Sequence, residues 1–220
     1  MTARLRFLGT LLPLLTLMGS CGDSRQRSTE QSTPTKPSQS DTVATTTRKV
    51  RVGEVEIVLD SNFTLASVQA LLSTDPPRPP RRDSEGRSVC FRLGASSLEG
   101  WLVLSSNALG GPDGYVLGYE IRGPEAAPIE SANCLNSRHS VATVTTDVGV
   151  SVGMPLEAVR RVLGEPARVS GDSLIYDRSY SIMDSTATRG VVERHIISLL
   201  VLQGSDSGIR LVSGWFVITT

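Results

Sequence analysis

Between Gly22 and Arg48 the chain carries almost nothing that could enter a core, and this confines folding to the 172 residues that follow. Of these 27 residues 12 are Ser or Thr and three are Gln, with Pro34 and Pro37 among them; Val43 and Ala44 are the only apolar side chains. A segment of this kind cannot bury enough surface to offset the entropy lost on ordering. It is expected to be a disordered tether over residues 21–48, with an r.m.s. reach of about 30 Å. The remaining length suits one ordinary domain or two small ones.

Ahead of the tether, Arg4 and Arg6 precede an apolar run from Phe7 to Met18, broken only by Gly9, Thr10, Pro13 and Thr16. A basic start followed by about a dozen apolar residues is the pattern of a secretory signal. A spanning helix needs about 20 such residues, so the run is too short for a stable transmembrane anchor. It closes on Leu17-Met18-Gly19-Ser20-Cys21. Small residues just before a cysteine, with bulky apolar ones ahead of them, resemble the bacterial lipoprotein signal; Met18 stands where that family prefers Leu. The alternative is an ordinary signal peptide over residues 1–20 with a chance cysteine behind it. The resemblance implies that Cys21 is diacylated and becomes the first residue of the mature protein. Each buried methylene adds about 0.8 kcal/mol, so several acyl chains hold a protein at a membrane without any span. Gly22, where an inner-membrane retention signal would place Asp, leans toward the outer membrane.

The folded unit is expected to be α+β. Val50, Val52, Val55, Ile57 and Leu59 alternate with polar residues, a half-buried strand or hairpin with a slip at Gly53. Leu65, Val68, Leu71 and Leu72 then have helical spacing behind Ser61-Asn62-Phe63-Thr64, which supplies capping residues. Pro76-Pro77-Arg78-Pro79-Pro80-Arg81-Arg82 ends that helix in a loop. Strand-like runs follow at Ser88–Leu93, Trp101–Ser105 and Tyr115–Arg122.

The pattern then recurs. Val148 and Val150 alternate before Gly153-Met154-Pro155; Leu156, Val159, Val162 and Leu163 form a second helical stripe, stopped by Gly164-Glu165-Pro166. Runs at Ser173–Met183, Val192–Gln203 and Ile209–Ile218 read as strands, with Gly204–Gly208 as a tight turn. Adding 91 to positions 57, 59, 65, 68, 71 and 72 reaches apolar residues 148, 150, 156, 159, 162 and 163. Two tandem helix-plus-three-strand units are therefore expected, over residues 49–146 and 147–220. Apolar periodicity without duplication is the alternative.

The stretch from Gly149 to Pro166, with its apolar approach, Gly153-Met154, Val-bearing helix and Leu163-Gly164-Glu165-Pro166, resembles the helix-opening signature of the SmpA/OmlA (BamE-like) family of small outer-membrane lipoproteins. The compatible strands extend the likeness to residues 148–220. Tandem repetition of such a unit is similar to the β-lactamase inhibitor protein, whose concave sheet binds an enzyme. The resemblance implies helices on an antiparallel sheet. It says little about activity, because one fold hosts unrelated roles. The size, the long tether and the additional N-terminal half all depart from the assembly subunit.

Candidate chemistry is sparse. With Cys21 assigned to lipid, Cys90 and Cys134 are left as an even pair in an exported domain, which favours a disulfide over two free thiols. His139 reads as a loop residue and His195 as a solvent-facing strand residue. No nucleophile elbow or metal-spaced histidine pair is present, and Asp172, Asp177 and Asp184 read as surface charge. The Pro/Arg run at 76–82 is an exposed connection or a polyproline recognition turn. The 22 Lys and Arg balance 22 Asp and Glu; residues 1–48 hold six basic against three acidic, leaving 16 against 19 for the rest. Neither part has the basic excess of a nucleic-acid binder. No catalytic, cofactor-binding or metal site is expected. The expected function is that of a non-enzymatic, lipid-anchored cell-envelope protein that binds or scaffolds another protein. An exported inhibitor or sensor with a concave tandem sheet is the alternative. Trp101, Tyr115, Tyr119, Tyr176, Tyr180 and Trp215 are the aromatic candidates for a contact surface.

Overall fold

Among the described residues of the computed structural model, fourteen regular elements beyond single helical turns follow one another. The structure describes residues 47–220 apart from 83, 85, 95–99, 112, 187–189, 206 and 220, and leaves undescribed the side chains of 184–190. The signal segment, Cys21 and the tether to residue 46 lie outside the described residues. In order, the elements are β1 (Lys49–Val52), β2 (Val55–Val58), α1 (Leu65–Leu72), β3 (Arg81–Arg82), β4 (Arg87–Leu93), β5 (Gly100–Ser106) and β6 (Gly118–Arg122). There follow β7 (Leu135–Asn136), β8 (Val144–Thr146), α2 (Leu156–Leu163), β9 (Arg168–Ser170), β10 (Ser173–Thr186), β11 (Gly190–Ser205) and β12 (Gly208–Thr219). The architecture is α+β and strand-rich. Both helices have the bounds their apolar spacing predicts.

Local chemistry accounts for those bounds. Thr64 caps α1 reciprocally with Ser67: Ser67 N–H donates to Thr64 Oγ1 at 3.1 Å and Thr64 N–H to Ser67 Oγ at 3.0 Å. Leu65, Val68 and Leu72 face inward while Leu71 is exposed. In α2 Val159 is buried, Leu156 and Leu163 pack against the core, and Val162 is exposed. Gly164 ends α2 at φ 78°, a conformation that disfavours any Cβ. Pro155 sits at the N-cap in extended conformation, one position before the first helical turn where its sequence context places it.

A nine-stranded sheet runs β3-β4-β5-β6-β12-β11-β10-β9, with β7 alongside β4; a smaller sheet has the order β2-β1-β8. Each half contributes an antiparallel meander, β4-β5-β6 and β10-β11-β12, and the last strands of the two meanders pair in the middle. The division at 146/147 is therefore spanned by one continuous sheet. Val148 and Val150, expected as strand residues, lie past the end of β8, where Thr146 N–H and Oγ1 bond the Val150 carbonyl in a turn.

Alternation assigns the two faces of the large sheet. One face, made of residues such as Phe91, Leu102, Tyr119, Ile121, Val212, Phe216, Leu200, Leu202 and Leu174, is fully buried against the helices and the small sheet in one core. At the join of the meanders, Gly118 lies opposite Trp215 and Gly214 opposite Tyr119. A Cβ at Gly118 would come within 2.7 Å of the Trp215 ring, and one at Gly214 within 2.6 Å of Tyr119 Cε1 and its phenol oxygen. Each glycine thus makes room for the aromatic ring of the opposing strand, one ring on either face.

Thr47 and Arg48, inside the segment expected to be tether, belong to the folded unit. Thr47 is fully buried: its N–H donates to Ser198 Oγ at 3.1 Å, and its hydroxyl bonds the Tyr119 phenol. Arg48 lies over the Phe216 ring at 5.1 Å, and the Arg48 and Lys49 amides donate to Asp147. Those side-chain interactions are long-range, so composition does not announce them.

Candidate functional site: the open face of the large sheet

The face opposite the helices carries its residues in cross-strand rows. The first row reads Ser88, Ser105, Gly118, Trp215, Leu199 and Asp177; the second reads Cys90, Val103, Glu120, Ser213, Val201 and Ile175. A third row, Arg92, Trp101, Arg122, Leu211, Gln203 and Ser173, lies toward the other end of the strands. Trp101 and Leu211 in that third row are buried. The segment after β6 lies there: Arg122 reaches the Ala126 carbonyl at 3.4 Å and Arg92 the Ser131 carbonyl at 3.4 Å. Trp101 Nε1 and Arg92 Nε are buried without a hydrogen-bond partner.

The first two rows stay accessible. Trp215, Val103, Leu199, Val201 and Val217 are half-buried, and Ile197 is half-exposed. Trp215, Val103, Ser105, Glu120 and Arg87 line a shallow cleft of about 180 Å³. Glu120 receives the Arg122 guanidinium through Nε at 2.9 Å, so the carboxylate bordering the cleft is already paired. Trp215 thus presents an amphipathic ring among aliphatic and small polar groups, a composition also common at protein-contact surfaces.

Next to the open face, Cys90 on β4 and Cys134 before β7 are joined by a disulfide, with Cα atoms 4.7 Å apart. It fastens the segment after β6 to β4. Beside it lies a cleft of about 380 Å³ lined by the disulfide, Val89, Val103, Leu135, Pro79, Pro128 and the rim residues Arg78, Arg81, Glu130 and Asn133. Arg81 and Glu130 meet across the rim at 3.3 Å. The Pro/Arg run is pinned, not loose: the nearly buried Gln69 amide donates to the Arg78 carbonyl at 2.9 Å and accepts from Arg78 N–H at 2.8 Å. Its last two residues, Arg81 and Arg82, form β3.

The remaining candidates separate. Tyr119 is wholly buried, and burial pushes its phenol well above the ordinary tyrosine range, against the bond from Thr47. Tyr176 is buried, bonds the Gly164 carbonyl at 3.1 Å, and its phenol is also raised by burial. Tyr115 is half-buried and forms a bridge to Thr64. His139 lies in a loop, as its sequence context suggests, with its ring packed where a Cβ on Gly53 would be, 2.6 Å from Nδ1, and its Nε2 buried without a hydrogen-bond partner.

His195 is exposed on β11, as its alternation predicts, but Ser181 Oγ lies 2.8 Å from His195 Nδ1 across β10 and β11. Sequence reading missed this pair because the residues are 14 positions apart on separate strands. A relay also needs a group to orient the imidazole and donors for an oxyanion. Neither accompanies this exposed pair among the described residues. Asp172 is paired with Arg210, and Asp177 is exposed. Among the described residues no group of three or more His, Cys, Asp or Glu could hold a metal ion, and no helix is long and apolar enough to cross a membrane.

Comparison with protein-family models, with curated proteins and with solved structures finds no match to this chain. Function is therefore argued from the residues themselves.

Proposed function

We propose that this is a lipid-anchored protein of the bacterial cell envelope, held at Cys21 and non-enzymatic, which binds or scaffolds another envelope protein through the open face of its large sheet. The observation that carries the reading is the accessible surface centred on Trp215. One sheet face is sealed by helices and the small sheet, while the other leaves Trp215, Val103, Leu199, Val201 and Ile197 within reach of solvent. The basic leader, the apolar run ending at Cys21 and the Ser/Thr-rich tether support attachment to the outer membrane without a span.

The second reading is an exported inhibitor or sensor built from two tandem units. It draws on the meanders that meet at β6 and β12, on the reciprocal Gly118–Trp215 and Gly214–Tyr119 pairs, and on the matched exposure of Leu71 and Val162, 91 positions apart. The likeness of residues 148–220 to the SmpA/OmlA family belongs to the same reading.

Crosslinking in intact cells tests the proposal. The full chain should enrich one envelope protein over an unrelated lipid-anchored control, and Trp215→Ala should remove most of that enrichment while leaving abundance unchanged. Equal recovery with the control overturns the partner-binding reading. Palmitate labelling that survives Cys21→Ser overturns the lipid assignment. A Cys21→Ser chain that still blocks a purified target in solution moves the function to the inhibitor reading.

A further inference from the structure

The two long edges of the large sheet are treated in opposite ways. At one end, β4 is covered by β3 and β7, and β3 follows directly on Pro79 and Pro80. The prolines cannot donate to a foreign strand, and the β4 edge is already taken by β3 and β7. At the other end, β9 pairs only with Ser173–Ile175 of β10. From Tyr176 to Thr186 no described residue outside β11 hydrogen-bonds the β10 backbone. That bare stretch, Tyr-Asp-Arg-Ser-Tyr-Ser-Ile-Met-Asp-Ser-Thr, holds no proline, glycine or lysine. Tyr180 is 40 % exposed, Ile182 39 % and Met183 68 %. A long edge with no proline or lysine, exposing Tyr180, Ile182 and Met183 about its middle, is a template for a further strand.

We propose that the strand which completes this edge is β10 of a second copy of the same chain, paired antiparallel about a two-fold axis through Ser181 and perpendicular to the sheet. Two independent features of the sequence select that register. The bare stretch runs from 176 to 186 and its midpoint is Ser181, so centring there pairs its whole length, Tyr176 against Thr186 at each end. The same register sets the exposed Tyr180 opposite the exposed Ile182, twice, as the symmetry requires. Moving the centre by one residue to Tyr180, a shift of two in register, shortens the overlap and places Arg178 against Ile182 and Asp177 against Met183. Moving it to Ile182 shortens the overlap equally and takes Tyr180 away from Ile182. A perpendicular two-fold also keeps the helices of both copies on one side. The open face would then run unbroken across the pair, with the Ser181–His195 contacts of the two copies side by side at the axis. The inference concerns the edge of the sheet and does not depend on what binds its face.

Cysteine trapping in the full-length chain tests it. Directly opposed side chains in an antiparallel pair have Cβ atoms about 4.5–5.5 Å apart, within reach of a disulfide after a small adjustment. Ser181→Cys should yield a linked dimer on non-reducing electrophoresis. Ser179→Cys, equally exposed on the same face but facing Met183 in the proposed register, should yield several-fold less. Adding Ile182→Lys should abolish the link, and Ile182→Lys alone should shift the otherwise unmodified chain from dimer to monomer in sedimentation equilibrium while leaving its circular dichroism unchanged. Equal linking of the two cysteine variants overturns the register. A monomer at the highest accessible concentration, or a dimer indifferent to Ile182→Lys, overturns the pairing and leaves the edge to a strand from another protein.

Discussion

Replacing Gly214 by alanine asks whether the seam between the two meanders depends on the interlocked glycine and aromatic pairs. An added Cβ would stand 2.6 Å from Tyr119 Cε1 and from the phenol oxygen, far inside van der Waals contact. The Tyr119 ring has nowhere to go: it is fully buried, and its hydroxyl is bonded to Thr47, whose amide is held by Ser198. Overpacking of this kind costs about 1–3 kcal/mol, and a phenol driven off its partner adds about 1–3 kcal/mol. The restricted unfolded chain returns about 0.4–1 kcal/mol. The net loss should be about 2–4 kcal/mol, which for a domain of this size lowers Tm by about 5–15 °C. Gly118→Ala is the internal control. Its Cβ meets the Trp215 ring at 2.7 Å, but that ring is half-exposed and can swing toward solvent, so the loss should stay under about 1 kcal/mol. Urea denaturation of both variants, with Gly214→Ala repeated in a Tyr119→Ala background, separates the packing contribution from everything else. If Gly214→Ala costs less than Gly118→Ala, or keeps its full cost once Tyr119 is gone, the interlocked seam is not what limits substitution there.

Thr47→Val should destabilise the fold by about 1–3 kcal/mol in the same assay, because it leaves a buried phenol without its partner; no change would return Thr47 to the tether. Opening Cys90–Cys134, which closes a separation of 44 residues, should cost about 4 kcal/mol on the loop-entropy account. Denaturation midpoints with and without reductant measure it, and coincident midpoints would refute it. Burial raises the Tyr119 pKa above its unfolded value near 10, so the protonated phenol's contribution is complete below that pH. Stability then falls as pH climbs from 10 toward the higher folded value, because only the unfolded state releases the proton. Tyr119→Phe should flatten that alkaline slope in pH-resolved denaturation, and an unchanged slope would assign it elsewhere. Gln69→Leu should speed tryptic cleavage at Arg81 and Arg82, since the Gln69 amide holds the Pro/Arg run at Arg78; equal cleavage rates would show that the run is held by other contacts.

Much of this protein is decided within short stretches of its sequence. The stripes beginning at Leu65 and Leu156 set two eight-residue helices with their observed bounds, because a 3.6-residue period and its capping residues act over one or two turns. Alternation located β4, β5, β6, β10, β11 and β12 to within a few residues, and an even pair of cysteines in a domain expected to be exported sufficed to suggest their bond. Tertiary structure decided what depends on elements distant in the chain. Local period cannot say that β6 pairs with β12, because any half-buried strand carries the same alternation. Glycines 118 and 214 read as ordinary strand interruptions until each is found beneath the opposing ring. Thr47 looks like one more tether threonine until its hydroxyl meets Tyr119, and nothing near His139 in the sequence says that its ring fills the space above Gly53. The bare edge of β10 and the accessible Trp215 face likewise emerge only once the strands are laid side by side, since exposure belongs to what neighbours leave uncovered and not to the residues alone.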